Sequence, residues 1–66
     1  MKICYDEKGN AIYLRLFKNN IVDSQEVEKG IVPDFNDKNQ VVGIEILGVN
    51  ERIPVEQLKP FQFEIA

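Results

Sequence analysis

Four stretches of the chain are rich in apolar residues. They form two pairs, and polar, turn-forming residues lie between the two members of each pair. The first pair is Lys2–Tyr5 and Ala11–Phe17, with acidic residues, Gly and Asn between them. The second pair is Ile31–Phe35 and Val41–Leu47, with Asn, Asp, Lys and Gln between them. Two β-rich segments joined by such residues are typical of a β-hairpin. The pattern therefore predicts two similar hairpins.

The register of both hairpins follows from their apolar side chains. A slip of one residue turns every side chain to the opposite face of a sheet, so the favoured register collects the large apolar groups on one face. This register pairs Tyr5 with Ile12 and Phe35 with Val42. It also predicts the pairs Met1–Leu16, Ile3–Leu14, Pro33–Ile44 and Ile31–Ile46. Asn39 takes the place of Gly9 in the second turn, and Asn tolerates a positive φ.

The segment between the hairpins is weakly patterned. Ile21–Val27 alternates poorly and carries acidic residues, which predicts a solvated edge strand. Gly30 follows as a bulge or turn position. Proline cannot donate a hydrogen bond to a β-ladder, so Pro33 predicts that its strand lies at an edge of the sheet at that point.

The C-terminal segment predicts a short helix and one more element. Pro54 suits the first position of a helix, and Pro60 ends the helical turns of Ile53–Lys59. Phe61–Ile65 alternates between apolar and polar residues, as a terminal strand or an extended tail would. The expected fold class is α+β and predominantly β, an antiparallel meander of two similar hairpins with a short C-terminal helix. It forms one small domain over residues 1–66, with helix and tail at about 53–65.

Composition narrows the function. The chain has 66 residues, one cysteine, no histidine and a net charge of −3. It can form no internal disulfide and lacks the commonest zinc ligand, so we expect a partner subunit to support its small core. The negative charge disfavours nucleic acid as a partner. Without a signal-peptide pattern or an apolar run of about 20 residues, we expect a cytoplasmic protein that contacts no membrane. Without a phosphate-binding motif, we expect no cofactor.

Short blocks in and around the hairpins form a specific set: Tyr5–Glu7, Ala11–Leu14, Glu26–Val27, Gly30–Ile31 and Val42–Leu47. In these blocks, within about residues 2–48, the chain resembles a small bacterial family known as domain of unknown function 2283. It differs from the family pattern at Pro33, where a plain strand residue is usual, and at Asn39, where glycine is usual. The resemblance implies a compact β-rich domain with no established activity. It also implies a small toxin-like protein as a partner.

Few residues suggest catalysis. Cys4 is the one candidate nucleophile, but no histidine is present to activate it, which favours an inert thiol. Asp34 and Glu45 fall on neighbouring strands, and paired carboxylates perform acid–base chemistry or hold a divalent cation. With Arg15 nearby, they suggest a small hydrolase or metal-dependent enzyme. The alternative is a solvated or salt-bridged pair on a sheet surface.

The predicted sheet has two apolar faces. The first face collects the residues Ile3, Tyr5, Ile12, Leu14, Ile31, Phe35, Val42, Ile44 and Ile46. The second face collects Cys4, Tyr13, Phe17, Val32, Val41 and Leu47. Gly43 also lies there, and its missing side chain leaves room for Tyr13 to cover it.

The second face has two explanations. Exposed apolar area normally marks an interface, which makes Tyr13, Phe17, Val32 and Leu47 candidate contacts of a homodimer. The other explanation is that the chain's own Pro54–Ile65 segment covers this face. From the sequence we expect a non-enzymatic, self-associating protein-binding domain, and the carboxylate-dependent enzyme is the alternative.

Overall fold

The computed structural model describes residues 1–54 and 56–58, which are mostly β-structure. The strands are β1 (Lys2–Asp6), β2 (Ala11–Arg15), β3 (Asp23–Ser24), β4 (Ile31–Phe35) and β5 (Val41–Leu47). One helix, α1, spans Val49–Arg52, and residues 56–58 are also helical. All strand pairings are antiparallel, which confirms a predominantly β fold with a short helix. The expected element at Phe61–Ile65 lies outside the described residues.

The strand order is β1-β2-β5-β4-β3, so the two hairpins are joined side by side through β2 and β5. A meander that followed chain order would place β3 next to β2. The structure instead places β5 there, and β3 lies at the far edge. The physical reason is that Ile44 and Ile46 of β5 extend the apolar row of β2, whereas both residues of β3 are exposed.

Two of the pairs predicted for the first hairpin are confirmed. Tyr5 lies opposite Ile12, and Ile3 lies opposite Leu14. The pairs Pro33–Ile44 and Ile31–Ile46 of the second hairpin are also present.

The predicted pair between Phe35 and Val42 is wrong. Phe35 lies opposite Val41, because a β-bulge shifts the register between Asp34 and Phe35. A bulge places two residues of one strand opposite one residue of its partner. The bulge leaves Val42 fully buried.

The two turns also differ in where the backbone becomes left-handed. Asn39 has a φ of 62°, as predicted, but the corresponding residue in the first turn is Asn10, with a φ of 54°, and not Gly9. Gly9 is needed for a different reason. A Cβ atom at Gly9 would lie 2.4 Å from Oδ2 of Asp6, whose carboxylate accepts a hydrogen bond from the Gly9 N–H.

The expectation for Pro33 needs a correction. β4 is not an edge strand, because β3 lies beside it. The Pro33 carbonyl accepts a hydrogen bond from the Gln25 N–H at 3.2 Å, so the backbone polar groups of Pro33 point toward β3. Although β3 ends at Ser24, Gln25 and Val27 still donate to the carbonyls of Pro33 and Ile31, so Pro33 accepts a hydrogen bond from its neighbour and lacks only the N–H to donate one. The Ile21–Val27 segment does supply an exposed edge strand, which is limited to the two residues Asp23 and Ser24.

The core lies between the first face and the C-terminal segment. Its fully or nearly fully buried members are Ile12, Val49 and Leu58, and partly buried Ile3, Tyr5, Ile46 and Ile53 pack around them. The helical residues 56–58 lie within the predicted Ile53–Lys59 helix, whereas the pattern does not predict α1, which places Val49 in this core, with Gly48 left-handed at φ 62° before it. A second turn follows Pro54, whose carbonyl accepts a hydrogen bond from Gln57. The described C-terminal residues thus cover the first face.

Candidate binding surface

The second face is built from rows of side chains that cross the sheet. One row places Cys4 opposite Tyr13, Tyr13 opposite Glu45, and Glu45 opposite Val32. Side chains that oppose each other directly on one face of a sheet are close neighbours. Glu45 therefore lies between Tyr13 and Val32, and this row is part aromatic, part acidic and part aliphatic.

Tyr13 covers Gly43, as predicted. A Cβ atom at Gly43 would lie 2.6 Å from the Tyr13 hydroxyl and 3.1 Å from its Cζ. Any larger residue at position 43 would push the phenol ring off the sheet. The absence of a side chain at Gly43 thus keeps Tyr13 flat on the second face.

Arg15 holds the chain that leaves β2. Its Nη1 donates to the Tyr13 hydroxyl at 3.1 Å, and its Nε donates to the carbonyl of Phe17 at 3.1 Å. Its Nη2 donates to the carbonyl of Asn19. Because guanidinium donors have a fixed planar geometry, these bonds fix the segment after β2 against Tyr13. Arg15 therefore has a structural role in this segment.

Asp34 is almost fully buried, with 4% of its surface exposed. Its Oδ1 accepts a hydrogen bond of 2.6 Å from the Ser24 hydroxyl, and Ser24 lies directly opposite it. This bond ties the short β3 to β4. No sequence pattern indicates this role for Ser24, because a two-residue strand gives no periodic signal from which its register could be derived.

Asp34 and Glu45 lie diagonally across β4 and β5, since Asp34 opposes Gly43 and Glu45 opposes Val32. Both project from the same face, as predicted. They line neither of the two surface cavities described below. Among the described residues, no cluster of three or more Cys, Asp or Glu side chains is placed to hold a metal ion. The expected solvated or salt-bridged pair is wrong for Asp34, which is buried and bonded to Ser24, whereas Glu45 is partly buried.

Two candidate contact residues lie at opposite ends of the second face. Leu47 ends β5 opposite Ala11 and is 41% exposed. Phe17 lies beyond β2, which ends at Arg15 and not at Phe17 as predicted, and it is also 41% exposed. Tyr13 and Val32 lie between them and are partly buried. The four residues therefore span the face without forming one continuous apolar patch.

A cavity of about 420 Å³ lies at the Phe17 end of the second face. Its lining combines apolar and cationic side chains: Met1, Lys2, Arg15, Phe17 and Lys18. This end of the face is basic, although the chain as a whole carries a net charge of −3.

A second cavity, of about 430 Å³, lies where α1 meets the sheet. Arg52 spans it, with Nε donating to the Leu47 carbonyl at 3.1 Å and Nη2 donating to the Lys29 carbonyl. Gly30 has a φ of 76°, and its N–H donates to the Glu26 carboxylate at 2.8 Å. These polar groups fasten the helix and the β3–β4 turn to the end of β5.

In the part of the chain that the structure describes, every helix is too short and too polar to cross a lipid bilayer.

Within the described residues, the fold and surface define a small antiparallel-sheet domain with one face covered by C-terminal residues and one mixed face that these residues leave uncovered. The chain belongs to the family described as "Protein of unknown function (DUF2283)", whose model matches residues 2–50. This match covers both hairpins and the start of α1. No curated protein and no solved structure matches the chain.

Proposed function

We propose that this chain is a non-enzymatic, cytoplasmic protein-binding domain that self-associates through its second face. The contact residues are Tyr13, Phe17, Val32 and Leu47. One observation carries the proposal: Val49, Ile53 and Leu58 pack on the first face, so the described C-terminal residues leave the second face open.

The composition of the second face fits a non-obligate interface. Such interfaces combine an aromatic or aliphatic centre with polar and charged groups, and as a whole are about as apolar as the rest of a protein surface. Tyr13 lies over Gly43 and its hydroxyl accepts a hydrogen bond from Arg15, so its side chain is already positioned before binding and loses little conformational entropy. A held aromatic side chain is the kind of residue that contributes most to binding.

The family resemblance supports a heterologous partner as well. We propose a small toxin-like protein as the other occupant of the second face. Since both partners would use the same residues, binding of this protein would compete with self-association.

The test is sedimentation equilibrium at micromolar concentrations on the wild-type chain and on Leu47→Lys. Placing a charge on the second face should weaken association at least tenfold, because the lysine must be desolvated on contact. Val22→Lys is the matched control, since Val22 is 62% exposed and precedes β3 at the far edge. An equal effect of the two substitutions, or a Leu47→Lys chain that associates like the wild type, would remove the second face as the contact surface.

A further inference from the structure

The two edges of the sheet are not equivalent. Within residues 1–54 and 56–58, β1 pairs on one side only, with β2. It is a regular strand of five residues without proline or bulge. The opposite edge is formed by β3, which has two residues. A long, regular edge is a template for pairing with another strand, whereas a short one is not.

The groups on the outer side of β1 can be derived from one hydrogen bond. The Leu16 N–H donates to the Val42 carbonyl at 2.9 Å, so the even-numbered residues of β2 face β5. Backbone groups alternate in direction along a strand, so Tyr13 and the other odd-numbered residues of β2 face β1. Tyr13 opposes Cys4. It follows that Ile3 and Tyr5 direct their N–H and C=O groups outward.

We propose that β1 pairs antiparallel with β1 of a second copy, centred on Cys4. In this register Ile3 exchanges both of its backbone hydrogen bonds with Tyr5 of the second copy. Lys2 lies opposite Asp6 of the second copy, and each charge pair occurs twice because of the two-fold symmetry. Both side chains are exposed in the single chain, so they are available for this contact.

The charges on the two edge strands favour pairing of β1 with its own copy over pairing of β3 with its own copy. Oppositely charged residues that face each other across strands stabilise a sheet, and like charges destabilise it. The β1 strand carries one charge of each sign at its two ends, so it is complementary to itself when reversed. The β3 edge carries Asp23, Glu26 and Glu28, and pairing it with its own copy would bring acids together.

The pairing is separate from the second-face contact. Directly opposed residues of paired strands project to the same side, so the second faces of both copies would form one wider surface. That surface remains open to the partners of the proposed function. The edge contact therefore does not depend on that function.

The first test uses charge exchange in a Leu47→Lys background, in which the second-face contact is weakened. Lys2→Glu places two acids opposite each other in a self-pair, and Asp6→Lys places two lysines opposite each other. In a mixed pair of these variants, every charge again faces its opposite. Sedimentation equilibrium should show little association of either variant alone and at least tenfold stronger association of the mixture. A mixture that associates no more than its components would overturn the proposal.

The second test uses Cys4 as a reporter. Its opposite residue in the pair is Cys4 of the second copy, at a non-hydrogen-bonded position with Cα atoms about 4.5 Å apart, within the range of a disulfide. Diamide oxidises two thiols to one disulfide and takes up two electrons and two protons. The Leu47→Lys chain should form covalent dimers at least tenfold faster than a matched control that carries Leu47→Lys together with Cys4→Ser and Asp37→Cys, whose thiol lies in an exposed turn. Equal rates would contradict the edge pairing.

A third measurement separates a second copy from residues 59–66 of the same chain as the occupant of the edge. Amide exchange at Ile3 and Tyr5 should slow as the protein concentration rises. Protection that is independent of concentration would show an intramolecular occupant and overturn the proposal. Loss of the concentration dependence only in Leu47→Lys would place self-association at the second face and also overturn the edge contact.

Discussion

The turn of the first hairpin forms hydrogen bonds to helix α1, whereas the side-chain hydrogen bonds of the second turn stay within that turn. In the first turn, the Asn10 side chain donates to Asn50 Oδ1 at 2.7 Å and accepts from the Asn50 N–H at 2.9 Å. Its carbonyl accepts from the Val49 N–H at 3.1 Å. In the second turn, the Asn36 side chain accepts from the N–H groups of Lys38 and Gln40.

This difference shows that similar turn sequences can stabilise either a tertiary contact or only their own loop. The first turn stabilises a contact between residues that are distant in the chain, and the core lies beneath it. The second turn stabilises only its own loop, and Asn36 is 3% exposed because its side chain folds into that loop. Substitutions at corresponding positions should therefore have unequal effects.

The largest difference in stability is expected between alanine variants of apolar residues in the two hairpins. Ile12 is 6% exposed and contacts the buried Val49 and Leu58, whereas Ile44 is only partly buried. Truncation of a buried Ile to Ala costs about 2–5 kcal/mol, comparable to the roughly 3–5 kcal/mol that a core of this size supplies. Ile12→Ala should be largely unfolded at ambient temperature, and Ile44→Ala should remain folded.

Circular dichroism with urea titration measures both variants. Leu14→Ala is a useful control, because Leu14 lies directly opposite Ile44 on β5 and is also partly buried. It should behave like Ile44→Ala. An Ile12→Ala chain as stable as Ile44→Ala would show that α1 and Leu58 do not form the main core.

The alternation of apolar residues was enough to predict the first hairpin and most of the second. The pairs Tyr5–Ile12 and Ile31–Ile46 are set by which register buries the apolar groups. The apolar pattern does not predict the bulge at Phe35, because Phe35 and Val42 have the same spacing and residue classes as Tyr5 and Ile12. What differs is the hydrogen bonding of the Asn36 side chain, which the apolar pattern does not record.

Contacts between distant segments were the other limit. Pro54 correctly indicated a helical turn, but α1 forms earlier because Val49 is buried against Ile12. At the candidate surface, the cover of Gly43 by Tyr13 could be predicted from a glycine in mid-strand. The use of Arg15 to hold the Asn19 segment could not, because the path of the chain between β2 and β3 depends on the strand order.

An intermediate difference in the free energy of unfolding is expected between Asn36→Ala and Asp6→Ala. These substitutions remove the side chains that cap the two turns. Asn36→Ala removes the acceptor of two part-buried hydrogen bonds, from the N–H groups of Lys38 and Gln40, and should cost about 1–3 kcal/mol. Asp6 is exposed and caps only the Gly9 N–H at 3.1 Å, so water can replace it and the cost should stay below about 1 kcal/mol. Thermal unfolding resolves these values in a small domain.

Asn36→Asp separates the two roles of the Asn36 amide. The aspartate keeps an acceptor for the Lys38 and Gln40 N–H groups but loses the donor that bonds Gln40 Oε1 at 2.8 Å. It should recover most of the stability lost in Asn36→Ala. A cost as large as that of the alanine variant would mean that the Asn36–Gln40 side-chain bond, and not the backbone capping, holds the second turn.

The smallest effects are expected for glycine at the two left-handed positions, and here the sign should differ. Asn39 is exposed at φ 62°, so Asn39→Gly removes backbone strain and should stabilise the chain by a few tenths of a kcal/mol. Asn10→Gly removes the same kind of strain but also both side-chain bonds to Asn50. It should destabilise the chain by about 1 kcal/mol, which thermal unfolding detects as a Tm lower by about 4–8 °C.

A double-mutant cycle with Asn50→Ala tests the cause of that sign change. Asn50→Ala removes the Asn50 side-chain acceptor but leaves its backbone N–H, so Asn10→Gly should cost less in this background than in the wild type. The coupling should be absent between Asn39→Gly and Asn50→Ala, because the second turn does not contact α1 through Asn39. Glycine effects of the same sign at both positions would mean that backbone strain alone governs the turns. In that case the Asn10–Asn50 bonds would contribute little to holding α1 on the sheet.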